Sequence, residues 1–206
     1  MPEPSSHGSC LQNCRLRRFV LTIFIALSIS PLVRAQSTSA AHKQVEQLVE
    51  ENAADWKQTS KQIWDYAELG YHEEKSSALL QAQLKAAGFS LASGVADEPT
   101  AFIASYGQGK PIIAILGEFD ALPGLSQKPL PERSPVVANA PGHGCGHNLL
   151  GSGAALAVVA VKKYMAANHI AGTLRYYGTP AEEGGSGKVF MVRDGLFNSM
   201  PVGYGR

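Results

Sequence analysis

The sequence predicts an α/β domain with a mixed sheet, on three observations: helical periodicity just past residue 40, two short β-branched runs near residue 110, and an apolar helix followed by a further strand after residue 148. From Ala41 to Leu69 the apolar residues Val45, Leu48, Val49, Trp56, Ile63, Trp64 and Ala67 recur mostly three or four apart among charged ones. That spacing predicts an amphipathic helix, ended by Gly70. A second helix fits Glu73 to Ala87, with Ala78, Leu79, Ala82 and Leu84 apolar and Gly88 as its stop.

Ala101–Tyr106 and Pro111–Leu116 read as strands, and Gly107-Gln108-Gly109-Lys110 between them reads as a hairpin turn. The second run is apolar on both faces and is expected in the middle of a sheet covered on both sides. Ala121 to Gly142, rich in Pro and polar residues, is expected to be a functional loop. Leu149 to Met165 predicts a buried helix, and Gly172 to Gly178 the next strand.

The 206 residues carry a formal net charge of +1, with 45% hydrophobic and 17% charged residues. That composition supports a buried core and argues against wholesale disorder, and the near-neutral balance offers no basic face for nucleic acid. At the N-terminus, basic Arg15-Leu16-Arg17-Arg18, apolar Phe19–Val33 and Val33-Arg34-Ala35 before Gln36 predict a secretory signal peptide over residues 1–35. The product is then exported, periplasmic or secreted. The alternative is an uncleaved membrane anchor, but the run falls short of the ~20 apolar residues of a spanning helix, so no stable membrane association is expected after cleavage. Cleavage would remove Cys10 and Cys14 and leave Cys145 as the only cysteine. A metal ligand explains a lone cysteine between two histidines better than an intermolecular disulfide or an inert thiol does.

His143, Cys145 and His147 stand two apart, and Glu182-Glu183 follows the next strand, so two groups of metal-competent side chains are expected at neighbouring strand ends. Thiolate with imidazole leans toward zinc or a similar borderline metal. Gly142, Gly144 and Gly146 interleave the three and are expected to permit a sharp turn. Of adjacent carboxylates, one can bind metal while its neighbour moves a proton between water and a leaving amine. Taken alone, Glu182-Glu183 reads more often as a solvated face, but Gly178-Thr179-Pro180-Ala181 before it and Gly184-Gly185-Ser186-Gly187 after it make a tight strand-to-helix junction. Asp120 stands just past the apolar strand, where it is expected either to orient a ligand imidazole or to cap a turn.

Gly142-His143-Gly144-Cys145-Gly146-His147-Asn148-Leu149-Leu150-Gly151, Gly117-Glu118-Phe119-Asp120-Ala121-Leu122-Pro123-Gly124 and Trp64-Asp65-Tyr66-Ala67-Glu68-Leu69-Gly70, in their order along the chain, resemble the metallopeptidase-20 family of dizinc aminoacylases and carboxypeptidases. They look most like its amidohydrolases of the aminobenzoyl-glutamate utilisation type. The resemblance implies a three-layer α/β/α catalytic domain over residues 41–197, with a divalent metal, Zn or Mn, and two ions in the complete family site. It implies Cys145, His147 and Glu183 as ligands, Glu182 as general base and acid, and Asp120 as the carboxylate beside the site. Glu118 and His143 receive no role. The implied reaction is hydrolysis of amide bonds in N-acyl amino acids, dipeptides or aminobenzoyl-glutamate-like small molecules.

The family has a further ligand histidine downstream of the glutamate pair, then a lid and dimerisation domain and a last histidine. Residues 198–206 depart from it. The expectation is therefore the N-terminal part of such a domain, C-terminally truncated, without the lid or the dimer interface. The alternatives are an inactive fragment that keeps partial metal binding and a metal-dependent binding protein of the envelope.

Overall fold

The computed structural model describes residues 39–198. The expected leader over 1–35 and residues 199–206 of the expected tail lie outside that range. The chain divides into two compact units, Met1–Ala40 and Ala41–Arg206. The elements below belong to the second, except that the first helix takes its initial residue from the first.

Helix α1 spans Ala40–Tyr66 and buries Trp56, Thr59, Ser60 and Ile63, a single stripe at three- and four-residue spacing. It ends at Ala67, where φ is +44°, three residues before the expected stop. Gly70 serves a different purpose. A Cβ there would lie 2.9 Å from the Cα and Cβ of Ala181, so the missing side chain lets residues 67–70 pass against the segment that carries the glutamate pair.

Helix α2 spans Glu74–Ala86 and closes on Gly88, which has φ +89°. Its first turn is capped from outside. Glu68 accepts the Lys75 and Ser76 N–H groups at 3.0 and 2.9 Å and the Ser76 hydroxyl at 2.7 Å. A carboxylate there satisfies open donors and complements the positive end of the helix.

The sheet contains β1 (Ser90–Ser93), β2 (Phe102–Gln108), β3 (Ile112–Gly117) and β4 (Gly172–Gly178) in the order β1-β2-β4-β3. The expected β2–β3 hairpin does not form. β4 lies between the two, antiparallel to β2 and parallel to β3. The reason is the crossover: β3 leads through helix α3, His147–Ala167, and a strand returning that way pairs parallel to the one it left. β3 is accordingly an edge strand among the described residues, with Ile113 and Leu116 exposed rather than covered on both sides.

Helices α1 to α3 cover one face of the sheet. Phe102 and Ala104 of β2 and Leu174 and Tyr176 of β4 meet Trp56, Ile63, Leu80, Leu84, Ala155, Val158 and Val159 in one core. α3 is long and apolar enough by composition to cross a membrane, yet Ala155, Val158 and Val159 are spent on this core. On the opposite face the Tyr177 ring packs at a tilt against Phe197, with centroids 4.9 Å apart, and its hydroxyl donates to the Leu196 carbonyl, just past helix α4, Gly187–Arg193. The layers are thus helix, mixed sheet, helix, as expected.

α4 packs against the 3-10 turn Val95–Asp97, beside a cavity of about 380 Å³ lined by Tyr71, Glu98, Phe190 and Arg193. Glu98 is 4% exposed, and neither carboxyl oxygen has a hydrogen-bond partner. Burial, and then the charge of Glu73, push its pKa from 4.5 up to about 7. Between those values the folded protein holds a proton that the unfolded chain has lost, so stability falls as pH rises through this window. Glu98→Gln is therefore expected to be more stable than the parent at pH 8 by on the order of 1–2 kcal/mol, and to match it near pH 4. Urea denaturation at the two pH values checks this; a difference independent of pH would refute it.

Candidate metal centre

Strands β3 and β4 end level, because Gly117 pairs with Gly178. Glu118 and Asp120 follow the first and Glu182 and Glu183 the second, while His147 opens α3 at the same edge of the sheet. Five side chains from three distant segments therefore converge where parallel strands leave their carboxyl ends.

Two local devices aim them. Gly146, at φ +84°, turns the chain into α3 and places His147 as its first residue. The expected sharp turn is present, with the Gly144 N–H reaching back to the Gly142 carbonyl at 3.0 Å, and Gly142 and Gly144 make it without entering the left-handed region. They are close approaches, since a Cβ would meet the Leu125 carbonyl at 2.0 Å or the Leu125 side chain at 2.6 Å. After β4, Ala181 takes φ +54° and Ser186 φ +58° around the turn Glu182–Gly185, in which Glu183 and Gly184 are themselves non-helical. A left-handed residue with a Cβ costs roughly 1 kcal/mol, so the surroundings must hold this turn.

His147 is buried and oriented. Its Nδ1 is 2.9 Å from Asp120 Oδ1, and the other Asp120 oxygen accepts the Glu183 N–H at 2.8 Å. Nε2 then faces Glu118 at 3.1 Å, Glu183 at 3.9 Å and Glu182 at 4.0 Å. A carboxylate behind one ring nitrogen sets the tautomer that presents the other nitrogen's lone pair forward.

Donor atoms of Cys145, His147 and Glu183 lie within 4.8 Å of one another, as do those of Glu118, His147 and Glu182. Both groups could hold a metal ion, and His147 belongs to both. Glu183 Oε1 is buried without a hydrogen-bond partner, which a bound cation would supply. Four carboxylates surround His147, and of the described cationic side chains Lys188 pairs with Glu118. The hydrogen bond to Glu183 foremost raises the Cys145 pKa, and a coordinating cation reverses that sign. The residues present fit a divalent metal.

Glu118 and Lys188 are the members that sequence reasoning left unassigned. Glu118 stands two residues before Asp120, which was a usable signal. Lys188 gave none, because its partner is 70 residues away. His143 stands apart from both donor groups. It is buried, donates Nε2–H to the Ile63 carbonyl at 3.0 Å and stacks on Trp64, fastening the loop to the end of α1. Burial chiefly lowers its pKa and favours the neutral ring that this bond requires.

Asp120 accepts from two donors at once, which makes Asp120→Asn informative. An amide must turn its NH2 toward either His147 Nδ1–H or the Glu183 N–H. Metal affinity is expected to fall about 10- to 100-fold, the usual effect of losing such a partner. Titration with cobalt checks this, and an affinity within about threefold of the parent would remove Asp120 from the orienting role.

Peptidase family M20/M25/M40 matches residues 114–204, the span that carries every donor named above. Over those residues the chain is similar to this family. Over 157 residues it is 46% identical to a p-aminobenzoyl-glutamate hydrolase polypeptide of Escherichia coli, covering 76% of this chain and 33% of that protein. It is 29% identical to hippurate hydrolase of Campylobacter jejuni over 143 residues, covering 69% of this chain and 36% of that one. The chain thus spans about a third of the length of these two relatives. Its fold matches the Bacillus subtilis YXEP protein, a dinuclear metal-binding peptidase of the M20 family, with a TM-score of 0.58 at 23% identity over 73% of this chain and 41% of that one.

Proposed function

We propose that the protein carrying these residues is a divalent-metal amidohydrolase, acting on N-acyl amino acids, dipeptides or aminobenzoyl-glutamate-like compounds with Zn or Mn. The observation that carries this reading is the meeting of Cys145, His147 and Glu183 with Glu118 and Glu182 around one oriented imidazole. The relatives named above, a p-aminobenzoyl-glutamate hydrolase and a hippurate hydrolase, support an amide substrate with a small acyl group.

In this reading Cys145, His147 and Glu183 are ligands, and Asp120 orients His147 from behind. When bound, the metal polarises the amide carbonyl and lowers the pKa of water toward neutrality. Glu182 takes the proton from the attacking water and returns it to the departing amine. Glu118, paired with Lys188, adds negative charge 3.1 Å from Nε2 and completes the second donor group.

The test is to load the purified protein with zinc or manganese and follow release of p-aminobenzoate from p-aminobenzoyl-glutamate and of benzoate from hippurate. Metal-dependent release supports the reading. Tight metal binding without release from any amide would instead favour a binding protein or an inactive product.

A further inference from the structure

Glu73 is a carboxylate with no exposure at all, at the start of α2 and distant in sequence from every donor of the metal centre. Its two oxygens face two donors. Oε1 accepts the Ala181 N–H at 2.8 Å, and Oε2 accepts the Thr100 hydroxyl at 2.9 Å. Ala181 is itself fully buried, so without Glu73 its N–H would lose this acceptor where water does not reach.

Ala181 is also the left-handed residue immediately before Glu182 and Glu183, and it lies against Gly70. The turn is thus gripped at its start and within its first half by buried carboxylates: Glu73 takes the N–H of Ala181 and Asp120 takes the N–H of Glu183. Release of the first grip would let Ala181 relax toward negative φ, which rotates the two residues that follow it.

We propose that Glu73 is a positioning residue of the metal centre, whose carboxylate holds the Ala181 turn in the conformation that aims Glu183 at Cys145 and His147. The proposal rests on the metal-centre reading above. Glu73 touches no donor atom of the centre and acts only through the turn.

The geometry separates an acceptor role from a charge role. In Glu73→Gln the amide oxygen can keep the Ala181 N–H while the NH2 meets Thr100, whose hydroxyl can rotate to accept. Glu73→Leu fills similar space and offers no acceptor.

Cobalt titration of the full chain, read in the thiolate-to-cobalt absorption and in affinity, tests this. The parent is expected to show the band, Glu73→Gln to bind within about twofold of it, and Glu73→Leu to bind at least about tenfold more weakly with a reduced band. A purely structural role would lower the melting temperature of Glu73→Leu and leave band and affinity alone. Unchanged affinity in Glu73→Leu therefore overturns the proposal, as does an equal loss in both variants. Should Glu73→Leu fail to fold, Thr100→Val frees one oxygen of Glu73 from its tether. A loss of about two- to fivefold is then expected, and none at all would overturn the proposal. Absence of the band in the parent would instead refute the metal centre itself, and the positioning role with it.

Discussion

On the proposed function, Glu182→Gln is expected to lower amide hydrolysis by the metal-loaded protein about 10²- to 10⁴-fold while metal content stays close to the parent's. The two adjacent glutamates are alike in sequence and unlike in setting. Glu183 has its N–H pinned by Asp120, its side chain 16% exposed and one oxygen buried without a partner. In the proposed function a cation completes this carboxylate. Glu182 has its side chain 44% exposed and stands 4.0 Å from His147 Nε2. A proton carrier needs that freedom, since it must reach the water in one step and the leaving nitrogen in the next. Glutamine keeps the size and loses the base. Glu182 also belongs to the second donor group with Glu118 and His147. Parallel loss of metal and activity in Glu182→Gln would therefore make it a ligand and take the proton role from it.

Residue type and spacing alone do not separate Glu182 from Glu183, two identical residues between glycine-rich flanks; only the family resemblance assigned them different roles. What separates them is the Asp120 contact, made across 63 residues. The same distinction runs through the fold. β4 begins and ends where its punctuating glycines predict, and α3 extends only two residues beyond Leu149 and Met165 at each end, because strand and helix periods are local properties. The place of β4 between β2 and β3 is a pairing between distant segments. The Gly107–Lys110 linker looks like a hairpin turn whichever way the strands then go.

The candidate site divides likewise. Cys145 and His147 were legible because they share one short glycine-rich segment, and Asp120 because it follows an apolar strand. Glu118 stands beside Asp120 in a visible motif, yet its partner is Lys188. Glu73 reads as an ordinary acid at a helix start, and only its burial against Ala181 makes it more than that.

His147→Ala is expected to weaken metal binding at least about 100-fold and to remove both donor groups together, because His147 is the member they share. Cys145→Ser offers the contrast. It touches only the group with Glu183, so the thiolate band should vanish while Glu118, His147 and Glu182 keep their mutual geometry. The imidazole also has a neighbour to lose. Asp120 is buried, and without Nδ1–H one of its oxygens is left without that donor, which costs about 1–3 kcal/mol in the metal-free protein. His147→Ala should therefore lower both the melting temperature and the metal affinity. Addition of metal should stabilise the parent and fail to stabilise the variant, since a ligand that binds only the folded state raises stability by mass action. Thermal unfolding with and without zinc reads both effects in one experiment. A variant still stabilised by zinc as strongly as the parent would place the metal on donors other than the imidazole that Asp120 holds.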